Sequence, residues 1–186
     1  FSWDSNLTFS WNQNKIIKLT EGSVNPMTGE PITKDNYEMG QLGNLDARVQ
    51  LYKGGSIGDV YATHRIKRDG NNNIYVSQEG KIEIESVEEF KLGSILPKSN
   101  MGWSNNFSYK GVNLGVTLTA RFGGIALSGT QSTLDQYGVS QVTADYRDAG
   151  GIFTNYGYVD TEKYFDTVKG YAAYYTYSAT NVRLSE

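Results

Sequence analysis

The 186-residue sequence contains no cysteine. Disulfides, thiolate metal sites and cysteine nucleophiles are therefore excluded. It holds one histidine, His64, so a metal site built from several histidines cannot form within one chain. No run approaches the roughly 18–20 apolar residues of a membrane-spanning helix. A basic excess is missing too. The 17 Lys and Arg against 20 Asp and Glu leave a net charge of -3, which argues against a strong nucleic-acid footprint. Proline is scarce at 3 residues, whereas glycine counts 21 and tyrosine 14. With 38% hydrophobic and 13% aromatic residues, this is the composition of a turn-rich all-β chain rather than a helical one.

The sequence opens at Phe1 inside an alternating pattern, with no charged and apolar leader, and stops at Glu186 in mid-alternation. The expectation is a piece of a longer polypeptide, without a signal peptide. From Phe1 to Asn12, odd positions give Phe1, Trp3, Leu7, Phe9 and Trp11, interrupted by Ser5, while even positions are polar. Period two over this length predicts a strand with one apolar face. A turn-rich stretch follows from Glu21 to Asn44. Ala47 to Lys53 is a weaker strand candidate, broken by Gly54-Gly55-Ser56-Ile57-Gly58. Thr63 to Arg68 and Asn73 to Ser77 flank a hairpin-turn signal at Asp69-Gly70-Asn71. Glu79 to Lys91 is charge-rich and reads as solvated.

The clearest element spans Met101 to Phe122, two alternating arms joined at Lys110-Gly111. A two-residue connection fixes the register. It sets Tyr109 opposite Val112, Phe107 opposite Leu114, Asn105 opposite Val116, Trp103 opposite Leu118 and Met101 opposite Ala120. Nearly all apolar groups then share a face, with Asn105 the single defect. Gln131 to Tyr137 reads as a short helix, and Tyr171 to Glu186 returns to β-like composition.

Alternation does not name the medium that the apolar face meets. The polar face of the hairpin carries Ser104, Asn106, Ser108, Asn113, Thr117 and Thr119, with no charge before Arg121. Small neutral groups suit a crowded wet interior better than an open surface. The arms have the length of transmembrane β-strands. Trp3 and Trp11 stand roughly 27 Å apart along a strand at about 3.4 Å per residue. A tilt of ~40° makes that about 21 Å, near the ~25 Å apolar band of an outer-membrane barrel. These features favour a lipid face made of Trp3, Leu7, Phe9, Trp11, Trp103, Phe107, Leu114, Val116 and Leu118. The lumen face would hold the six small polar residues and Arg121.

Several segments, in order, resemble SusC/RagA-type TonB-dependent outer-membrane transporters. They are Gly54-Gly55-Ser56-Ile57-Gly58-Asp59-Val60-Tyr61, Lys67-Arg68-Asp69-Gly70-Asn71, and Leu96-Pro97-Lys98 leading into Gly102 to Lys110. Arg121-Phe122-Gly123-Gly124, Leu134 to Val139, Asp148-Ala149-Gly150-Gly151 and Ala179 to Leu184 continue the likeness. The resemblance implies that residues 1–186 are the C-terminal part of the barrel, an arc of an all-β, antiparallel, plugged barrel of about 22 strands with long extracellular loops. Plug and aromatic-ended final strand are missing from it. It further implies a gated importer of a large nutrient, glycan or peptide, in the outer membrane and in contact with its lipid. A SusD-like surface lipoprotein and, through the missing plug, the TonB complex would be its partners.

The remaining motifs are weak. The Gly54 to Gly58 run lacks the Gly-Lys-Ser/Thr ending of a phosphate loop and reads as a tight turn or bulge. Asp69, Asn71 and Asn73 match the start of a calcium loop, but Ile74 and Gly80 break the rest. His64 has no nucleophile or carboxylate partner at a recognisable spacing. Glu83 and Glu85 merely share a strand face. No cofactor or metal is expected, and no enzyme. The tyrosines of the C-terminal third, Tyr156, Tyr158 and Tyr164 among them, could stack on sugars, meet a lipoprotein, or pack strands. The alternative to the importer is a soluble β-sandwich module that binds carbohydrate or acts as an adhesin, burying the apolar face against a second sheet.

Overall fold

The computed structural model describes residues 1–20, 22–33 and 36–185. Glu21, Lys34 and Asp35 of the turn-rich stretch, and Glu186 of the final segment, lie outside the described residues. The first 41 residues contribute β1 (Ser2–Trp11) and β2 (Asn36–Gln41), the second of them inside the stretch expected to be turns. The central region adds β3 (Ala47–Tyr52), β4 (Asp59–Ile66), β5 (Ile84–Ser94), β6 (Ser99–Tyr109) and β7 (Val112–Phe122). The C-terminal third mixes three helices with short strands. These are β8 (Ile125–Leu127), α1 (Gly129–Gln136), α2 (Gln141–Asp148), β9 (Ile152–Thr154), β10 (Gly157–Val159), α3 (Thr161–Val168), β11 (Thr176–Ser178) and β12 (Asn181–Leu184).

Among the described residues, four separate antiparallel sheets result, in the orders β1-β6-β7-β12, β2-β3-β4-β5, β8-β11 and β9-β10. None closes on itself. This overturns the expected all-β transmembrane barrel arc: the domain is mixed, with helices and open sheets. Among the described residues, no helix is long and apolar enough to cross a membrane.

The β6–β7 hairpin has the register read from its sequence, with Trp103 opposite Leu118 and Phe107 opposite Leu114. Lys110 (φ 47°) and Gly111 (φ 86°) both occupy the left-handed region. That pair of conformations defines the two-residue turn whose twist matches the strands. β1 adds on the other side, with Trp3 opposite Phe107 and Leu7 opposite Trp103. The rings of Trp3 and Phe107 stack at 6.1 Å. The two polar interruptions of the apolar face, Ser5 and Asn105, are direct cross-strand partners. Each accepts an indole N–H: Trp3 Nε1 donates to Asn105 Oδ1 at 3.1 Å, and Trp103 Nε1 donates to Ser5 Oγ at 3.0 Å.

The hydrophobic core lies elsewhere. It joins Leu45, Ala47 and Val49 at β3, Val60, Ala62 and Ile66 of β4, and Val76 and Ile82 of the following loop to the C-terminal third. From there come Ile152, Val159, Tyr164, Phe165, Val168, Ala172 and Tyr175. Alternate residues of β4 point into it, as period two requires. α3 presents Tyr164, Phe165 and Val168 at helical spacing. Side-chain caps start the helices: Ser128 Oγ, Ser140 Oγ and Asp160 Oδ1 accept from the backbone N–H of Gln131, Thr143 and Lys163. No side chain of β1, β6, β7 or β12 belongs to this core, so the hairpin's apolar face is not sealed between two sheets. Leu7, Phe9 and Trp11 are about two-thirds exposed. β5 is the other departure. Its charge-rich sequence forms an edge strand whose pairing with β4 shifts register at two places, with Glu85 opposite Arg65, whose guanidinium lies 4.9 Å over the Phe90 ring.

Gly151 has φ 122°, and a Cβ there would lie 2.4 Å from the Val159 carbonyl oxygen. Gly151→Ala is expected to lower stability by about 1–3 kcal/mol, measured by urea titration. Burial raises the phenol pKa of Tyr164, Tyr174 and Tyr175, with the Asp135 charge adding to the last. Each proton is held more tightly in the folded chain than in the unfolded one. Stability is therefore whole below the ordinary tyrosine range near pH ~10 and falls as pH rises beyond it. Denaturation midpoints at successive alkaline pH values should show that fall, and Tyr174→Phe should shrink it.

Candidate functional site

The β9–β10 hairpin has two unlike faces. Ile152 and Val159 pair across it and point into the core; Phe153 and Tyr158 pair on the outside. Their rings meet edge to face at 5.4 Å, yet Phe153 remains 74% and Tyr158 67% exposed. Asn155 and Tyr156 form the turn. The neighbouring Tyr75 phenol raises the pKa of Tyr156, whose ring is half exposed at the hairpin tip. The Asn155 side chain reaches back to the Val76 backbone. Its Oδ1 accepts from Val76 N and its Nδ2 donates to Val76 O, both at 3.3 Å.

That tie sets the hairpin against the loop after β4 and encloses a cleft of about 550 Å³. Phe153, Asn155 and Tyr146 line one side, and Arg68, Asp69 and Asn73 the other. Asp69 closes an Asx turn: its Oδ1 accepts from Asn71 N and Asn73 N at 2.9 and 2.8 Å, and its Oδ2 from Asn73 Nδ2 at 3.2 Å. These bonds hold its carboxyl below the usual carboxylate range. Arg68 donates to the Asn72 carbonyl at 2.9 Å. The cleft thus sets amides and one cation beside exposed rings.

Of the three tyrosines singled out in the sequence, Tyr156 and Tyr158 sit at this hairpin. Tyr164 is buried in the core, its ring edge-on to Phe165 and Tyr174, and only its flank reaches the cleft floor. The residues divided between lipid and lumen sides do occupy opposite faces of the β1-β6-β7-β12 sheet. On the polar face Ser104 meets Thr117 and Ser108 donates to Asn113. Arg121 donates to the Ile95 carbonyl at 3.0 Å. His64 does have a carboxylate partner, which sequence spacing hid. Its Nδ1 lies 2.8 Å from Asp46 Oδ2, while Asp46 Oδ1 accepts from Ala172 N at 2.6 Å. The pair ties β4 to the segment after α3. Glu83 is occupied by Lys67 at 2.8 Å.

Phe153 and Asn155 were missed in the sequence. Their signal was there: Ile-Phe-Thr and Gly-Tyr-Val flank a two-residue tip, a short hairpin pattern.

No protein-family model matches the chain. Similar curated proteins include TonB-dependent receptor P3 of Formosa agariphila, 25% identical over 154 residues that cover 78% of this chain and 15% of that protein. TonB-dependent receptor SusC of Bacteroides thetaiotaomicron is 24% identical over 127 residues, covering 64% of this chain and 12% of that protein. The chain therefore spans about one-seventh of these relatives or less. Likeness this partial establishes no membership of the SusC/RagA family, and the fold is a mixed domain of unclosed sheets. The expectations that rested on a closed barrel fall with it. Those were the importer function, the outer-membrane location, contact with outer-membrane lipid, and the partnership with a SusD-like lipoprotein and the TonB complex.

Asn155→Ala should strand both Val76 backbone groups. We expect a loss of about 1–3 kcal/mol in urea titration, with Asn155→Asp intermediate because it keeps the acceptor.

Proposed function

We propose that this chain is a recognition module that binds glycans without transforming them. The observation that carries the reading is the outward pair Phe153 and Tyr158, left exposed beside an amide-lined cleft by a hairpin whose other face is packed in the core. A sugar ring presents a C–H face that stacks on an aromatic ring and an edge of hydroxyls that needs donors and acceptors. Exposed rings beside Asn73, Asn155 and Arg68 supply both. A tethered tip lowers the ordering cost of binding, and Asn155 is held to the Val76 backbone by two hydrogen bonds. Binding rather than bond chemistry is supported by the other polar clusters. The His64–Asp46 pair is taken up in joining two segments, and Asp69 in closing its turn.

The test is a glycan array probed with the intact chain, followed by calorimetry on the glycans retained. Phe153→Ala and Tyr158→Ala should each weaken binding roughly 3- to 10-fold, the equivalent of one stacking contact. Their far-ultraviolet dichroism should be unchanged, since both rings are exposed. An array with no retained glycan, or affinities untouched by both substitutions, would refute the assignment.

A further inference from the structure

The fold leaves a broad surface without a partner, the apolar face of the β1-β6-β7-β12 sheet. The registers align its side chains across the strands, and one row crosses all four: Leu7, Trp103, Leu118 and Leu184. The charged residues of these strands are Asp4, Arg121 and Arg183. Alternation turns all three to the opposite face, where they stand in line with Asn106, Asn100 and Thr119. The apolar face therefore carries no charge. Its polar members Ser5 and Asn105 are occupied within the sheet.

Nothing in the chain covers this face among the described residues. The core takes no side chain from these strands, and Leu7, Leu114 and Leu184 remain exposed. Strands that rise about 3.4 Å per residue and lie about 4.8 Å apart give the face an area of roughly 600 Å². That exceeds the few hundred Å² of contiguous apolar surface that a soluble monomer ordinarily shows. Two such faces laid together would bury about 1,200 Å², which reaches the size of a stable interface. A second copy offers an equally uncharged face of the same outline, and a two-fold axis lets each sheet cover the other. Side-by-side pairing at the free edge of β1 would not serve, because it leaves the apolar face wet and doubles its extent.

We infer that a second copy of this chain seats on the face, so that two four-stranded sheets pack face to face at about 10 Å. The sandwich that one chain does not complete is completed by two.

The test is sedimentation equilibrium of the intact chain from about 1 to 100 µM, read beside tryptophan emission. A dimer is expected, with emission moving to shorter wavelength as it forms. Leu7→Lys and Leu114→Lys each place a charge in the dried contact and should weaken dimerisation roughly tenfold or more. Asn6→Lys adds the same charge on the opposite face and should leave the dimer intact. All three side chains are exposed, so far-ultraviolet dichroism should be unchanged in each variant. A monomer at every concentration would overturn the inference, whether or not it binds phosphatidylcholine vesicles. Open-ended association would overturn it too, as would a dimer indifferent to both apolar-face lysines, which would place the contact at the β1 edge.

Discussion

One buried strand face governs the arrangement of the chain. Val60, Ala62 and Ile66 of β4 form a single core with Phe165, Val168, Ala172 and Tyr175, about a hundred residues away in sequence. Burying the valine, isoleucine and phenylalanine side chains among them stabilises by about 1.5–3 kcal/mol each. That is enough to fix α3 against the sheet and to hold the β9–β10 hairpin between them. The hairpin's exposed aromatics follow from this. With Ile152 and Val159 drawn inward, alternation leaves Phe153 and Tyr158 no choice but to face out. Position in the core, more than any local motif, selects the candidate binding surface.

What the sequence disclosed and what it concealed divide along physical lines. The β6–β7 register was legible because a two-residue turn and two matched alternations over-determine it. β1, β3 and α1 were legible by the same local rules. α3 was concealed although Asp160 caps it and Tyr164, Phe165 and Val168 follow at helical spacing, because the surrounding tyrosines and glycines imitate strand composition. β5 was concealed because the partners of its charged residues lie across the sheet, Asp59 for Lys91 and Arg65 opposite Glu85. The His64–Asp46 contact depends on β3–β4 pairing, which no spacing rule conveys. The largest error concerned the whole. Strand length, tryptophan placement and collinear likeness all suggested a barrel arc, but each is local, and closure is a property of the complete sheet. Of the candidate site, two hairpin tyrosines were in hand, while Phe153 and Asn155 required the tertiary fold.

In the proposed reading the hairpin cleft relies on ring stacking and amides, interactions that salt scarcely alters.

The paired interruptions of the apolar sheet have a consequence for hydration. A tryptophan withdrawn from water ordinarily strands its N–H, and each stranded donor adds a penalty of about 1–3 kcal/mol. Here Ser5 and Asn105 already receive the hydrogens of Trp103 and Trp3 from within the same surface. Drying this side of the sheet would therefore leave neither indole wanting an acceptor.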